Sequence, residues 1–172
     1  MSSSFFDELC DSRPPGAPPV ERDRVAGYLD AELPAIELRY DVTIAGQLRA
    51  FLLSMGRCDG GLIGDDPLVL YRPSWTGQDQ LAFQRAFRER LQSAELGVYC
   101  EEKPFAVTNE SEVHYYFLLT ASTEPDLVFH YNQTEESAHS TGLPLLEYLK
   151  GVLRRYAGYG QRAPLRGELL SG

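Results

Sequence analysis

Residues 47–61 read QLRAFLLSMGRCDGG, which predicts an amphipathic helix followed by a glycine-rich turn. The apolar residues recur at helical spacing and therefore share one side of the helix: Ile44, Leu48, Phe51, Leu52 and Met55. Thr43 is the predicted N-cap, and Gly56 is the predicted C′ residue because glycine adopts the left-handed conformation without steric cost. The segment contains no catalytic motif, so we expect its role to be structural.

Length and composition predict one globular domain. The chain has 172 residues, 43% of them hydrophobic and 11% aromatic, which is enough for a core without disulfides or a metal. No apolar run approaches the ~20 residues of a membrane span, and residues 1–8 lack the basic and apolar regions of a secretory signal. The three cysteines are widely spaced, as in reduced cytosolic proteins. We therefore expect a cytoplasmic protein with no membrane association.

Hydrophobic periodicity and turn residues divide the chain into three parts. Residues 1–19 are predicted to form a proline-rich leader outside the core, residues 20–158 an α+β domain, and residues 159–172 a loose tail. Helices are predicted over residues 20–31 and 44–55. Two further helices are predicted, one that begins after the capping box at Thr76 and one that begins after Thr141. Predicted strands cover residues 36–40, 68–71, 105–108, 113–120 and 127–131.

The strands cluster along the chain rather than alternate with helices. This order predicts an antiparallel or mixed sheet of about five to six strands, with helices packed on one side. Turn residues 123–126 join the last two predicted strands, which should form an antiparallel hairpin. The residues expected to be buried between sheet and helices are Phe51, Leu52, Tyr116, Phe117, Phe129 and Leu149.

The net charge of −9 argues against nucleic acid as a partner, because phosphate binding needs a basic surface. Between Tyr99 and His139, eight acidic residues stand against Lys103 alone, a net charge of −7. Such a surface either keeps the protein soluble or attracts a basic protein partner. The candidate partner-binding residues lie in this stretch and around the earlier glycine-rich turn: Glu101, Glu102, Glu110, Glu112, Glu135, Glu136, Asp59, Asp65 and Asp66.

Catalytic and metal chemistry find little support in the residue pattern. Cys58 follows Arg57, which would favour a thiolate, but a nucleophile also needs an imidazole base within reach. His114 and His130 are the candidates for that base, and both lie in apolar predicted strands. The glycine-rich turn lacks the lysine and hydroxyl of a phosphate loop, and the cysteines and histidines lack metal-ligand spacing. We predict no catalytic residues, metal or cofactor; an enzyme that uses Cys58 is the minor alternative.

Five motifs, in the same order along residues 20–157, resemble the SUKH superfamily. They are Leu33-Pro34, the helix Phe51–Gly56 with Gly60-Gly61, the aromatic strand Tyr115–Leu118, the strand Val128–Tyr131, and the helix Leu145–Leu149. Residues 35–43 make the connection after the first motif longer than is usual in this family. The bacterial members are mostly immunity proteins of polymorphic toxin systems, and the family has no catalytic residues to transfer.

This resemblance implies an immunity protein that binds and neutralises a cognate toxin. The toxin would be delivered by a contact-dependent or type VI secretion route and would act in the cytoplasm, as a nuclease, deaminase or NAD-consuming enzyme does. The acidic stretch predicts that this toxin is basic. We expect the protein itself to be a monomer or a weak dimer. The alternative is a constitutive protein-interaction module of the same fold without a toxin partner.

Overall fold

A computed structural model describes residues 3–63, 67–156 and 166–171. The helices and strands follow one another as α1 (Phe5–Asp11), α2 (Leu33–Tyr40), α3 (Gly46–Met55), α4 (Gly77–Ser93), β1 (Pro104–Glu110), β2 (His114–Leu119), β3 (Leu127–Asn132), β4 (Ser137–Pro144) and α5 (Leu145–Tyr156). Short 3-10 turns cover Arg22–Arg24, Asp30–Glu32, Val69–Tyr71 and Gly97–Glu102.

The four strands form one antiparallel sheet in the order β1-β2-β3-β4. The register places Glu110 opposite His114, His114 opposite Asn132, and Asn132 opposite Ser137. These pairings confirm the predicted α+β domain and the predicted hairpin, which β2 and β3 form. The prediction of five to six strands is wrong for the described residues, in which this four-stranded sheet is the only one.

Helices cover both faces of the sheet, so the prediction that they lie on one side is wrong. On one face, Val107, Leu118 and Val128 belong to the large core that α1, α3 and α5 complete. On the other face, Phe117 and Tyr131 belong to a second apolar cluster with Phe87 and Leu91 of α4. Side chains alternate between faces along a strand, so the continuous apolar runs of β1 and β2 supply both clusters.

The predicted core residues divide between these two clusters. Phe51, Leu52 and Leu149 are fully buried in the large core, as predicted. Phe117 is fully buried as well, but on the opposite face, where Phe129 is partly buried. Tyr116 is also only partly buried, against the large core.

Residues 36–40 form the second half of α2 rather than the predicted strand. Their alternation of apolar and polar residues is misleading, because Leu38 is 87% exposed. The buried residues of α2 are Leu33, Ile36 and Tyr40, which follow helical spacing. Pro34 occupies the first turn, where a proline is tolerated in a helix, so it begins α2 instead of ending a preceding helix.

Residues 20–31 do not form the predicted helix. Their backbone is partly extended and bonds to the end of α3: the Tyr28 amide donates to the Leu52 carbonyl at 2.9 Å, and Ala26 pairs with Cys58. Gly27 is required at this approach, because a Cβ there would lie 1.8 Å from the Leu53 carbonyl oxygen. The backbone groups that a helix would have paired internally are thus used in tertiary contacts.

The predicted helix at residues 44–55 is confirmed as α3, but both of its predicted caps are wrong. Its N-cap is Ala45 rather than Thr43, and the Asp126 carboxylate accepts a hydrogen bond from the Gln47 amide at 2.8 Å. Gly56 has a helical φ of −62° rather than a left-handed one. A Cβ at Gly56 would lie 2.7 Å from the Leu52 carbonyl oxygen, so close packing explains this glycine.

Both chain ends pack against the core where they are described. Residues 5–11 form α1, whose Phe5, Phe6 and Leu9 are buried, so the prediction of a leader outside the core is wrong there. Residues 166–171 are not loose either. Leu169 is buried, its amide donates to the Tyr28 hydroxyl at 2.9 Å, and its carbonyl accepts from the Tyr40 hydroxyl at 2.8 Å.

The predicted strand at residues 68–71 is a buried 3-10 turn with one β-bridge, between Leu68 and Thr108. A short apolar run of this kind does not by itself distinguish a strand from another buried conformation. The capping box at Thr76 is confirmed at the start of α4. Thr141, the predicted cap of the last helix, instead lies in β4 and donates to the Val128 carbonyl at 2.7 Å.

Candidate functional site

The sheet topology separates the predicted acidic residues into two groups. Antiparallel pairing brings the β1–β2 turn (residues 111–113) and the β3–β4 turn (residues 133–136) to one end of the sheet, the double-turn end. The β2–β3 turn (residues 120–126) lies at the other end, the single-turn end, where the 3-10 turn before β1 also arrives. Strands of six to eight residues separate the two ends by roughly 20 Å.

The double-turn end presents three exposed carboxylates, those of Glu112, Glu135 and Glu136. Glu112 and Glu136 have positive φ angles of 61° and 50°, as does Ser111 at 51°. This left-handed region favours glycine, so non-glycine residues here carry some backbone strain. The turns thus keep two carboxylates at positions where glycine would be easier to accommodate.

Glu110 lies at the same end but is already paired. Its carboxylate accepts a hydrogen bond from Arg155 at 3.2 Å, and its side chain is only 17% exposed. Glu110 is therefore paired with α5. Its charge is less available to a partner than the charges of the three exposed carboxylates.

The remaining predicted acids lie elsewhere. Glu101 and Glu102 are exposed at the single-turn end. Asp59 is 1% exposed and accepts from the Gly61 amide at 2.9 Å and the Ile63 amide at 2.7 Å. It holds the glycine-rich turn together, so its prediction as a partner-binding residue is corrected. Asp65 and Asp66 lie outside the described residues.

All three histidines of the chain meet on one face of the sheet, close to the double-turn end. His114 Nδ1 lies 2.9 Å from His130 Nε2, and the His130 and His139 rings are 5.0 Å apart. Tyr116 stacks on His130 and on Tyr148, with ring distances of 4.7 and 4.9 Å. Burial lowers the pKa of His130, and the neighbouring His139 and His114 lower it further.

His114 and His130 were named from the sequence only as candidate bases in apolar strands, and their array with His139 was not predicted. The register of the β2–β3 hairpin could have revealed the array. His114 and Tyr116 alternate along β2, and His130 lies opposite Tyr116, so all three side chains share one face of the sheet. His139 lies opposite His130 on β4, a strand that was not predicted at all.

Cys58 is buried, and burial raises the pKa of its thiol. Arg57, which was expected to favour a thiolate, instead donates to Glu32 at 2.7 and 2.9 Å and to Glu168 at 3.2 and 3.4 Å. Both observations work against a nucleophilic role, because the thiolate is the reactive form.

Two further properties can be read from the described residues. Residues 3–63, 67–156 and 166–171 contain no group of three histidine, cysteine or acidic side chains placed to hold a metal ion. Within the same ranges, none of the helices has the length and apolar character that crossing a membrane requires.

Comparisons with known proteins add no relatives: no family model matches the chain, and neither a curated protein nor a solved structure is significantly similar to it. The resemblance to the SUKH superfamily therefore depends on the sequence motifs alone.

Proposed function

We propose that this protein is an immunity protein that binds a basic toxin and neutralises it in the cytoplasm. The toxin would reach the cell by contact-dependent or type VI delivery. The observation that carries the proposal is the double-turn end, where Glu112, Glu135 and Glu136 project from two adjacent turns. The sequence supports the proposal through the motifs that resemble the SUKH superfamily, whose bacterial members mostly have this role.

The double-turn end has the properties of a surface that recognises a cationic partner. Exposed carboxylates on turns can be replaced without disturbing the core, which suits an inhibitor that must match one toxin. Charges of one sign also steer an oppositely charged protein into the encounter complex and raise the association rate. Left-handed backbone at Glu112 and Glu136 is the kind of local strain that occurs at functional sites.

Neutralisation in this proposal is binding alone, without catalysis. A nucleophilic Cys58 is disfavoured by its burial and its raised pKa. The second candidate is a constitutive interaction module without a toxin, which would use the same acidic end. The two differ in one respect: only an immunity protein protects a cell that expresses the toxin.

Capture from the native host tests the proposal with matched charge reversals. The test variant replaces Glu112, Glu135 and Glu136 with lysine, and the control replaces Glu101, Glu102 and Glu124 at the single-turn end. Both change the net charge equally. We expect the wild type and the control to capture one basic protein whose expression is toxic without this chain, and the test variant to capture less of it in a short incubation at low salt.

A captured protein that is harmless when expressed alone would favour the constitutive module instead. Equal capture by both charge variants would contradict the assignment of the double-turn end. Circular dichroism and melting of each variant establish that the fold is intact.

A further inference from the structure

A cleft of about 230 Å³ opens at the double-turn end, on the sheet face opposite the histidines. It lies between α4, the loop before α4 and the start of β2. Its principal lining residues are Arg72, Trp75, Phe83, Arg90 and Tyr115. A cavity of about 150 Å³ is sufficient to hold benzene, so this cleft has room for one aromatic ring with a small substituent.

The two arginines of the cleft have few partners. Neither Arg72 nor Arg90 is ion-paired with any described residue, whereas six arginines elsewhere are paired with carboxylates. Within the described part of the chain, Arg72 makes one long hydrogen bond, from Nη2 to the Asn109 carbonyl at 3.4 Å, and its buried Nε has no partner there. Arg72 lines the cleft, so its Nη donors are the groups that an acceptor there would meet.

The charge around this cleft differs from that of the rest of the protein. Two arginines and one carboxylate, Glu112, line it, although the chain as a whole carries −9. Glu112 is exposed to solvent on its turn, so water screens its charge more than that of the half-buried Arg72. The cleft lining itself therefore carries one more positive charge than negative, while Glu89 and Glu136 lie beyond Arg90 in the adjoining depression.

Aromatic rings form the walls. Trp75 lies 5.6 Å from Phe83, and Phe83 stacks on Tyr115 at 6.0 Å. The Arg72 guanidinium lies over the Trp75 ring at 5.5 Å, which orients it beside the cleft. Burial raises the pKa of Tyr115, so its hydroxyl stays a neutral hydrogen-bond donor at physiological pH.

We propose that this cleft binds a small aromatic carboxylate. The ring would pack against Trp75, Phe83 and Tyr115, and the carboxylate would accept hydrogen bonds from Arg72 and Arg90. Planar guanidinium groups match the two oxygens of a carboxylate, and a flat ring is the shape that stacked aromatic walls accept. The proposal does not rest on toxin binding, although Glu112 belongs both to the cleft lining and to the acidic double-turn end.

Trp75 is the only tryptophan of the chain, so its fluorescence reports directly on the cleft. Phenylacetate is the probe, phenylacetamide its neutral counterpart, and acetate the counterpart without a ring. We expect saturable binding of phenylacetate with a Kd on the order of millimolar. Phenylacetamide and acetate should each bind at least tenfold more weakly.

Charge-removing variants identify the carboxylate-binding groups. Arg90→Gln should weaken phenylacetate binding several-fold and leave phenylacetamide unchanged. Arg72→Gln should do the same, and Arg72→Lys should restore only part of the affinity because lysine lacks the planar fork. Arg85→Gln, on an exposed position of α4 outside the cleft, is the matched control and should change nothing.

Three results would overturn the proposal. They are the absence of saturable quenching by phenylacetate, equal affinity for phenylacetate and phenylacetamide, and equal effects of Arg90→Gln and Arg85→Gln. If Arg72→Gln fails to fold, the exposed Arg90 still provides the test. Retention of toxin capture by the Arg90 variant would show that the two sites are separate.

Discussion

At the scale of single residues, His130 links the histidine array to pH. Its pKa lies below the ordinary value of 6.5 because of burial, His139 and His114, while the Glu135 carboxylate acts in the opposite direction. As pH falls, His130 therefore binds a proton at a higher pH in the unfolded chain than in the folded chain. The contribution of His130 is fully present above pH 6.5 and is lost as pH falls from there towards the folded-state pKa.

We accordingly predict that the free energy of unfolding falls between pH 7.5 and pH 5.5, and falls less in His130→Phe. Phenylalanine retains a ring to stack on Tyr116 but cannot bind a proton. Urea unfolding of both proteins at the two pH values measures the effect. An equal loss of stability in wild type and variant would contradict the role of His130.

Arg57 provides the second residue-scale prediction. Its side chain is 14% exposed, binds Glu32 and Glu168, and lies 4.2 Å from the Tyr28 ring. Arg57→Ala should lower the free energy of unfolding by about 2–3 kcal/mol, because hydrogen bonds to charged groups are lost and two carboxylates remain unpaired. Arg49, paired with Asp30 at an exposed site, is the control, with an expected loss of about 0–1 kcal/mol in Arg49→Ala.

Chemical denaturation of the two alanine variants measures both losses of stability, and equal losses would contradict the structural role of Arg57.

The ion pair between Arg57 and Glu32 adds a second range of pH in which stability changes. Hydrogen bonds from Arg57 and the Leu29 amide lower the pKa of Glu32 from 4.5 to about 2. The resulting stabilisation is complete above pH 4.5 and is lost as pH falls towards 2, well below the window of His130.

Residue roles were predictable only where the local sequence determines them. The capping box at Thr76 needs only residues three apart, and it was predicted correctly. Asp59 was predicted as a partner-binding residue, but it satisfies two backbone amides within its own turn. The cleft with Arg72, Arg90 and Tyr115 combines a loop, a helix and a strand, so no local pattern indicates it.

At the scale of elements, α1 should contribute to folding. Phe5 packs edge-on against Phe51 at 5.8 Å, and Leu9 is fully buried. Leu9→Ala should therefore cost about 2–5 kcal/mol of stability through lost burial and a cavity. Thermal or urea unfolding measures the loss. An unchanged midpoint would mean that residues 1–19 are a dispensable leader after all.

Helix α3 lies at the centre of the large core, which gives a sharper prediction. Phe51 is fully buried, so Phe51→Ala should cost about 3–5 kcal/mol. Leu38→Ala is the control, because Leu38 is 87% exposed and surface changes usually stay within about 0.5 kcal/mol. Comparable losses in the two variants would show that the position of α3 relative to the sheet is wrong.

The elements that periodicity predicted are those whose packing is simple. α3 and α4 each bury residues at helical spacing, and β1, β2 and β3 are apolar runs between turns. β4 was missed because an exposed edge strand with mostly small and polar residues lacks the usual enrichment in β-branched and aromatic residues. Residues 20–31 were misassigned because contacts with α3 determine their path.

At the scale of the whole molecule, sheet topology decides how the acidic stretch can work. The sequence presents its acids as one run, whereas antiparallel pairing divides them between ends roughly 20 Å apart. At about 0.1 M salt the Debye length is about 10 Å, so each end acts on a partner largely by itself. This division could not be predicted without the register and without β4.

The association rate of the captured toxin with the two charge variants distinguishes recognition through the double-turn end from recognition elsewhere on the protein. Reversal of Glu112, Glu135 and Glu136 should slow association several-fold at low salt and flatten its salt dependence, because rim charges act mainly on the association rate. Reversal of Glu101, Glu102 and Glu124 should leave the rate close to that of the wild type. Equal slowing in both variants, or none in either, would contradict recognition through the double-turn end.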